Sequence, residues 1–411
     1  MADTDLAGNP HCHLYHRRVT TPLRVVIAPD SFGGALDSVA VADAIAAGWA
    51  RARPDDQLVR APMADGGEGT LAALAAALGE RAQHRTVATV DPLGRPVQAD
   101  WLELGDGAAF IEMAAASGLK LLSTGERMPE AARRASTRGT GELLRAALDA
   151  GAKDITLGLG GSATTDGGSG LLTALGLRLL DRDGHELEPG GAALANLAEV
   201  DVSRLDPRLQ DVALTVASDV TNPLCGAHGA AATYGPQKGA DQAAVEELDA
   251  ALAEWGHAIE RAKGRFVADI PGAGAAGGTT AGLLGFTSAR VRPGVEVVAD
   301  LIGLAEALEA ADLVITGEGR ADEQTLSGKA AMGVAHLARS RNAPVILLCG
   351  ALGPGSAALD ASGVFAVVQP IADRPMSLEE SMGDTERLLA NAGERVGRTL
   401  EVGIGLGERG G

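Results

Sequence analysis

Aromatic residues are scarce: Phe, Trp and Tyr together make up 2% of the 411 residues. The core must then rest on Leu, Val, Ile and Ala, and there is little scope for the base stacking on which single-stranded nucleic-acid binders depend. Cysteine is nearly missing too. Cys12, Cys225 and Cys349 are odd in number and far apart, which argues against a disulfide framework and for a reducing cytoplasm. No apolar run reaches the roughly 18 residues of a membrane-spanning helix, and the first residues lack the basic-then-apolar order of a signal peptide. Positive charge is in deficit: 35 Lys and Arg against 54 Asp and Glu leave a formal charge of −19. Such a field repels nucleic acid and anionic membranes, so any anionic ligand must be met locally by Lys, Arg, a metal or backbone N–H groups.

Glycine, by contrast, is plentiful, and it gathers with acidic residues in five runs: APDSFGG at 28–34, MADGGEGT at 63–70, GGSATTDGGSG at 160–170, SDVTNPLCG at 218–226 and TGEGRADEQTLSGK at 316–329. Glycine backbone lets an anion approach N–H groups closely, while nearby carboxylates can hold a divalent metal or take a proton. That pairing points to phosphate chemistry.

The hydrophobic pattern places these runs. LRVVIAP at 23–29 and LVRAPM at 58–63 read as strands, SVAVADAIAAGWARA at 38–52 and GTLAALAAAL at 69–78 as helices. The same alternation returns with ADLVITG at 311–317, a helix over 329–341, APVILLCG at 343–350 and VFAVVQP at 364–370. Between them, residues 85–112 read as shorter extended pieces around the turn DPLGRP, followed by the strands DITLGLGG and VALTVASD and a helix LLTALGLRLL at 171–180. The expected fold is α/β: a discontinuous Rossmann-like or flavodoxin-like parallel-sheet domain over 23–80 and 300–405, an inserted mixed α/β domain over 81–299 and an active-site cleft between them. Residues 1–22 are an N-terminal extension to which no function is given, although His11, Cys12, His13 and His16 cluster there.

With STRGTGE at 136–142, GPQKGA at 235–240 and PGAGAAGG at 271–278, the five runs resemble the bacterial glycerate kinase family, in the same order and at similar spacing from about Arg24 to Gly403. The resemblance implies a glycerate 2-kinase that moves the γ-phosphate of ATP to D-glycerate with Mg²⁺, acting on small molecules and on neither nucleic acid nor membrane. Phosphorylation at the 3-hydroxyl, or of a related hydroxy acid, is the alternative. A non-catalytic small-acid binding protein is a minor one.

Within that reading, Asp30, Ser31, Glu68 and Arg138 are expected to bind substrate, an arginine fork being the usual partner of a carboxylate. Gly160, Gly161, Ser162, Thr164, Gly167 and Gly168 would cradle phosphates at a strand-to-helix turn, where N–H groups and the helix dipole favour anions. Asp219 with Glu318 or Asp322 would hold Mg²⁺, and Lys238 or Lys329 would offset the transferred charge. Asp166 is the first choice for proton acceptor and Asp65 the second, although Asp166 suits equally well as a helix cap. SGK at 327–329 fails as a P-loop, since Glu323 stands at the required earlier glycine and Ala330 at the metal-binding hydroxyl. Gly272, Gly274 and Gly277 spell a dinucleotide fingerprint and leave an NAD-dependent enzyme as a further minor alternative, but Pro271 interrupts its entry. Two positions depart from the resembled family: Gly33, where a lysine is usual, and Thr165, where an asparagine is common.

Overall fold

A computed structural model describes residues 22–327 and 330–410, which fall into two compact units. One holds the described residues up to Pro62 and those from Gly303 onward; the other runs from Met63 to Ile302. No helix among the described residues is long and apolar enough to cross a membrane.

The first unit begins with β1 (Arg24–Ile27), whose apolar residues are buried almost throughout. The Asp37 carboxylate accepts from the amide of Ala40 at 2.8 Å and so starts the helix Ser38–Ala52, after which β2 (Gln57–Arg60) lies parallel to β1. The chain then leaves for the second unit. The departure comes after Pro62 rather than at 80. The helix Thr70–Leu78 is held there by Glu112, whose carboxylate accepts from Gly69 at 3.2 Å and Leu71 at 2.9 Å.

The second unit is built on a six-stranded sheet. β3 (Gln83–Val90), β4 (Pro96–Gly105) and β5 (Ala108–Glu112) form an antiparallel meander, longer than the short pieces expected from the sequence. β6 (Asp154–Gly158) pairs parallel with β5. A separate hairpin of β7 (Arg178–Leu180) and β8 (Glu199–Asp201) intervenes before β9 (Ala213–Ala217) and β10 (Arg290–Arg292) extend the main sheet. The order is β10-β9-β6-β5-β4-β3, with the four strands from β5 to β10 mutually parallel. Trp101, Ile111, Leu143, Leu157 and Val216 fill its core, and Trp255 stacks on Phe286 with ring centroids 5.6 Å apart. The helix expected over 171–180 is shorter: it spans Ser169–Ala174, because Gly176 turns left-handed at φ 99° and the following leucines join β7.

Returning to the first unit, β11 (Leu313–Ala321), β12 (Val345–Leu352) and β13 (Val367–Pro370) complete an all-parallel sheet ordered β13-β12-β11-β1-β2. Numbered within this unit, the strands stand 2-1-3-4-5, the flavodoxin-like order, and the expected doubly wound domain is present. The helices Ser38–Ala52 and Thr385–Gly410 cross at glycines: a Cβ on Gly48 would lie 1.8 Å from the Ala390 carbonyl oxygen, so only glycine permits this approach.

Candidate active site

In a parallel sheet every strand delivers its next loop to the same edge, and ligands collect there. At the carboxyl edge of the second unit the loop 63–69 lies over the ends of β6, β9 and β10. A Cβ on Gly66 would meet the Ala217 carbonyl oxygen at 2.9 Å, one on Gly160 the Gly67 Cα at 2.2 Å, and one on Gly294 the Asp65 carbonyl oxygen at 1.7 Å. These close approaches bring Asp65, Glu68 and Asp219 to one edge. Asp65 is exposed, one oxygen accepting from the Gly67 amide at 2.9 Å. Asp219 is exposed and accepts from the Gly294 amide at 3.0 Å; partial desolvation of its carboxylate and the charges of Asp65 and Glu296 raise its pKa, against that hydrogen bond. Glu68 pairs at 2.7 Å with Lys120, an exposed cation.

Sequence reading missed Lys120, Glu112 and Glu296. Lys120 sits in an apolar stretch with no motif. Glu112 did carry a signal, a carboxylate ending the apolar strand AAFIE; burial pushes its pKa up, against the Leu71 and Gly69 amides.

The turn after β6 divides in two. Gly160 and Gly161 stay at the edge, Gly161 close to Glu68. Ser162, Thr164, Gly167 and Gly168 turn inward and are buried. Several of their donors and acceptors are used inside the unit, while the buried Thr164 hydroxyl has no hydrogen-bond partner among the described residues. The Gly167 amide donates to the Gly277 carbonyl, the Gly167 carbonyl accepts from the Trp255 indole at 2.9 Å, and the Gly168 amide donates to Asp166 at 3.1 Å. These two amides therefore cannot meet a phosphate.

Asp166 is fully buried, its carboxylate accepting from the Thr137 amide and hydroxyl and from the Gly168 and Gly170 amides. Burial raises its pKa against those four donors. It ties two helix starts together through the Thr137 and Gly170 amides, while Gly168, and not Asp166, stands at the cap of the helix Ser169–Ala174. Lys238 is likewise 2% exposed. Its ammonium donates to the Ser162 hydroxyl at 3.0 Å and to the Thr164 carbonyl. Burial lowers its pKa to about 7, the charge of Asp166 working the other way. A lysine in that position supports the turn from beneath and does not reach a transferred phosphate.

In the first unit the order reverses between β1 and β11, the switch point where such sheets bind ligands. Asp30 and Ser31 follow β1 there; the Asp30 amide donates to the Gly317 carbonyl and the Ser31 amide to the Asp30 carboxylate at 2.6 Å. Glu318 is buried at the end of β11 beside its register partner Cys349, whose pKa burial and the Glu318 charge push up to about 12. Asp322 is engaged by Arg320 at 3.2 Å and by the Gln324 amide at 3.0 Å. Gly33 is exposed and open, with nothing within 4 Å of a Cβ. Lys329 and the N-terminal histidines lie outside the described residues.

The glycine fingerprint is occupied by packing. A Cβ on Gly274 would meet the Pro223 carbonyl oxygen at 2.2 Å and one on Gly277 the Thr164 carbonyl oxygen at 2.0 Å, while Ala276, Gly277 and Gly278 run left-handed at φ 51°, 68° and 86°. No pyrophosphate can approach that backbone, which removes the observation behind the NAD alternative. Arg138 begins a helix, pairs with Glu142 at 3.1 Å and lines a cavity to which no residue of the loop 63–69 contributes. Asp219 belongs to the second unit and Glu318 and Asp322 to the first; among the described residues the one close cluster of metal-ligating groups is Asp181, Asp183 and His185, in a surface turn.

A flavodoxin-like sheet and a mixed sheet, each carrying carboxylates and glycines at its carboxyl edge, define an α/β protein equipped for phosphate chemistry. The sequence pattern of the glycerate kinase family matches residues 25–401, and the chain belongs to that family. It is 43% identical to the glycerate 2-kinase of Escherichia coli strain K12, over 93% of this chain and 99% of that one. It is 46% identical to a glycerate kinase of Halalkalibacterium halodurans, over 90% and 97%. A crystal structure provisionally assigned as glycerate kinase 2 of Salmonella typhimurium LT2 superposes with a TM-score of 0.82 at 42% identity, covering 93% of this chain and all of that one.

Proposed function

We propose that this protein is a glycerate 2-kinase of the cytoplasm, transferring the γ-phosphoryl group of ATP to the 2-hydroxyl of D-glycerate. The observation that carries this reading is the convergence of Asp65, Asp219 and the Glu68–Lys120 pair on one sheet edge in a chain of this family. Phosphoryl transfer needs an oriented hydroxyl, an acceptor for its proton and positive charge along the phosphates.

Asp65, exposed and fixed by the Gly67 amide, takes the hydroxyl proton in place of the buried Asp166. Lys120 offsets phosphate charge in place of Lys238, and Gly160 and Gly161 remain at the edge as phosphate contacts. Asp30 and Ser31 at the switch point of the first sheet contribute to substrate binding. A hard divalent cation fits Asp219, an exposed carboxylate crowded by the charges of Asp65 and Glu296 that a cation would relieve. When bound, Mg²⁺ screens the negative charge of the triphosphate.

The test incubates the full chain with ATP, Mg²⁺ and D-glycerate and follows ³¹P NMR. ADP and 2-phosphoglycerate should appear together and only with all three present. Equal ADP formation without glycerate would make the protein an ATPase, and 3-phosphoglycerate would make it the sister enzyme.

A further inference from the structure

The second unit carries a cavity of about 270 Å³ to which none of the five acidic-glycine runs contributes more than Ser169 and Gly170. Its walls come from the start of the helix Arg138–Asp149, the helix Ser169–Ala174, β7, the connection from β7 to β8 and Arg204 just after β8. Neither Asp65, Glu68 nor Asp219 lines it. We propose that it is a binding site for a small dianionic organic acid or phosphate ester, separate from the phosphoryl-transfer edge.

Three arginines line the cavity, Arg138, Arg178 and Arg204, against two carboxylates, Glu186 and Glu188. The lining side chains alone carry one more cation than carboxylate, and Glu142 and Asp201 pair with two of the arginines from outside the lining. The three cations are unequally engaged. Arg178 is held between Glu186 at 2.9 Å and Asp201 at 3.2 Å. Arg138 meets one carboxylate, Glu142, through its Nε, leaving its terminal nitrogens for a ligand. Arg204 has no carboxylate partner among the described residues. Ser136 and Ser169 also line the cavity and are 5% and 4% exposed. Ser136 accepts from the Arg138 amide at 3.3 Å, and among the described residues neither serine hydroxyl donates to a protein acceptor. Guanidinium forks with hydroxyl donors match carboxylate and phosphate oxygens, and a small anion fills a space of this size.

The wall has a mechanical link to the turn after β6. Asp166 binds the Thr137 and Gly170 amides, which flank Arg138 and Ser169, and the Gly168 amide of the turn itself.

The test titrates the full chain, without nucleotide, with succinate, glycerol 3-phosphate and inorganic phosphate in a calorimeter. One-site binding at submillimolar to millimolar concentration by succinate or glycerol 3-phosphate is expected, and which of them binds more tightly assigns the dicarboxylate or the phosphate ester. Arg204→Ala should weaken it about 10-fold and Glu188→Gln should tighten it about threefold, with kcat for glycerate unchanged in both. Opposite shifts from two exposed positions cannot come from misfolding. Absence of binding by all three probes, binding by inorganic phosphate alone, or binding indifferent to both substitutions would overturn the assignment.

Discussion

Gly33, in the loop after β1, has open space around it, whereas Gly277, packed on the turn after β6, would drive a Cβ to 2.0 Å from the Thr164 carbonyl oxygen. Both belong to glycine-rich runs, APDSFGG and PGAGAAGG. In the first unit the loop keeps its polar groups at the surface of the sheet edge. In the second, most of the turn 160–168 is folded inward, and its aspartate, glycines and supporting lysine make one buried network. The composition of a glycine-rich loop says that the backbone can bend or approach closely; burial decides whether a ligand or the protein itself is what it approaches.

The strongest way to break this contrast is to add a methyl group to each side. Gly277→Ala combines a steric clash with φ 68° and should cost more than about 3 kcal/mol, while Gly33→Ala should stay within about 0.5 kcal/mol. Urea unfolding of the two variants measures both; equal losses would contradict the contrast. Next comes Asp65→Asn, which should lower kcat by about 100-fold or more with little change in stability, as loss of a general base does.

Lys238 gives a pH signature that only a buried role produces. In the unfolded chain a lysine holds its proton to about pH 10, and in the fold Lys238 releases it near 7. Between those values the unfolded state binds more protons, so stability rises with pH from 7 to 9, by on the order of 2 kcal/mol for this residue. Lys238→Met should remove that part of the slope in denaturant titrations across the range, and parallel curves for the two proteins would place the lysine in solvent.

A smaller effect is expected at Gly33. A lysine there needs no backbone change, since the site is open and its φ ordinary. Gly33→Lys should raise kcat/KM for glycerate by about 10-fold through one charge-assisted contact, with unchanged stability. No gain in the folded variant would mean that another cation already serves that loop.

The sheet of the first unit was legible because its strands are short β-branched runs bounded by Pro and Gly, such as RVVI before Ala28 and Pro29, and because buried parallel strands leave little choice of face. The helix limits at Ser38–Ala52 were readable from Asp37 for the same local reason. The end of the helix at Ala174 was not, since the leucines of 175–180 satisfy a helical and a strand pattern alike and Gly176 decides by tertiary fit. Asp65 and Asp219 were read from their loops, and the structure places both at the carboxyl edge of the second sheet. Asp166 and Lys238 were found as well, but with the wrong surroundings: hydrogen bonds from residues 29 positions away and a burial partner 76 positions away leave no local trace. Lys120 reaches the edge by tertiary folding alone.

The central claim is that the turn aspartate builds the fold while the loop aspartate does the chemistry, and Asp166→Asn tests it most directly. An amide supplies one acceptor oxygen where the carboxylate supplies two, so the variant should lose about 2 kcal/mol of stability while kcat, measured on the folded protein at saturating ATP and D-glycerate, stays within about threefold of the parent. A fall in kcat of about 100-fold with unchanged stability would contradict the claim and return the proton to Asp166.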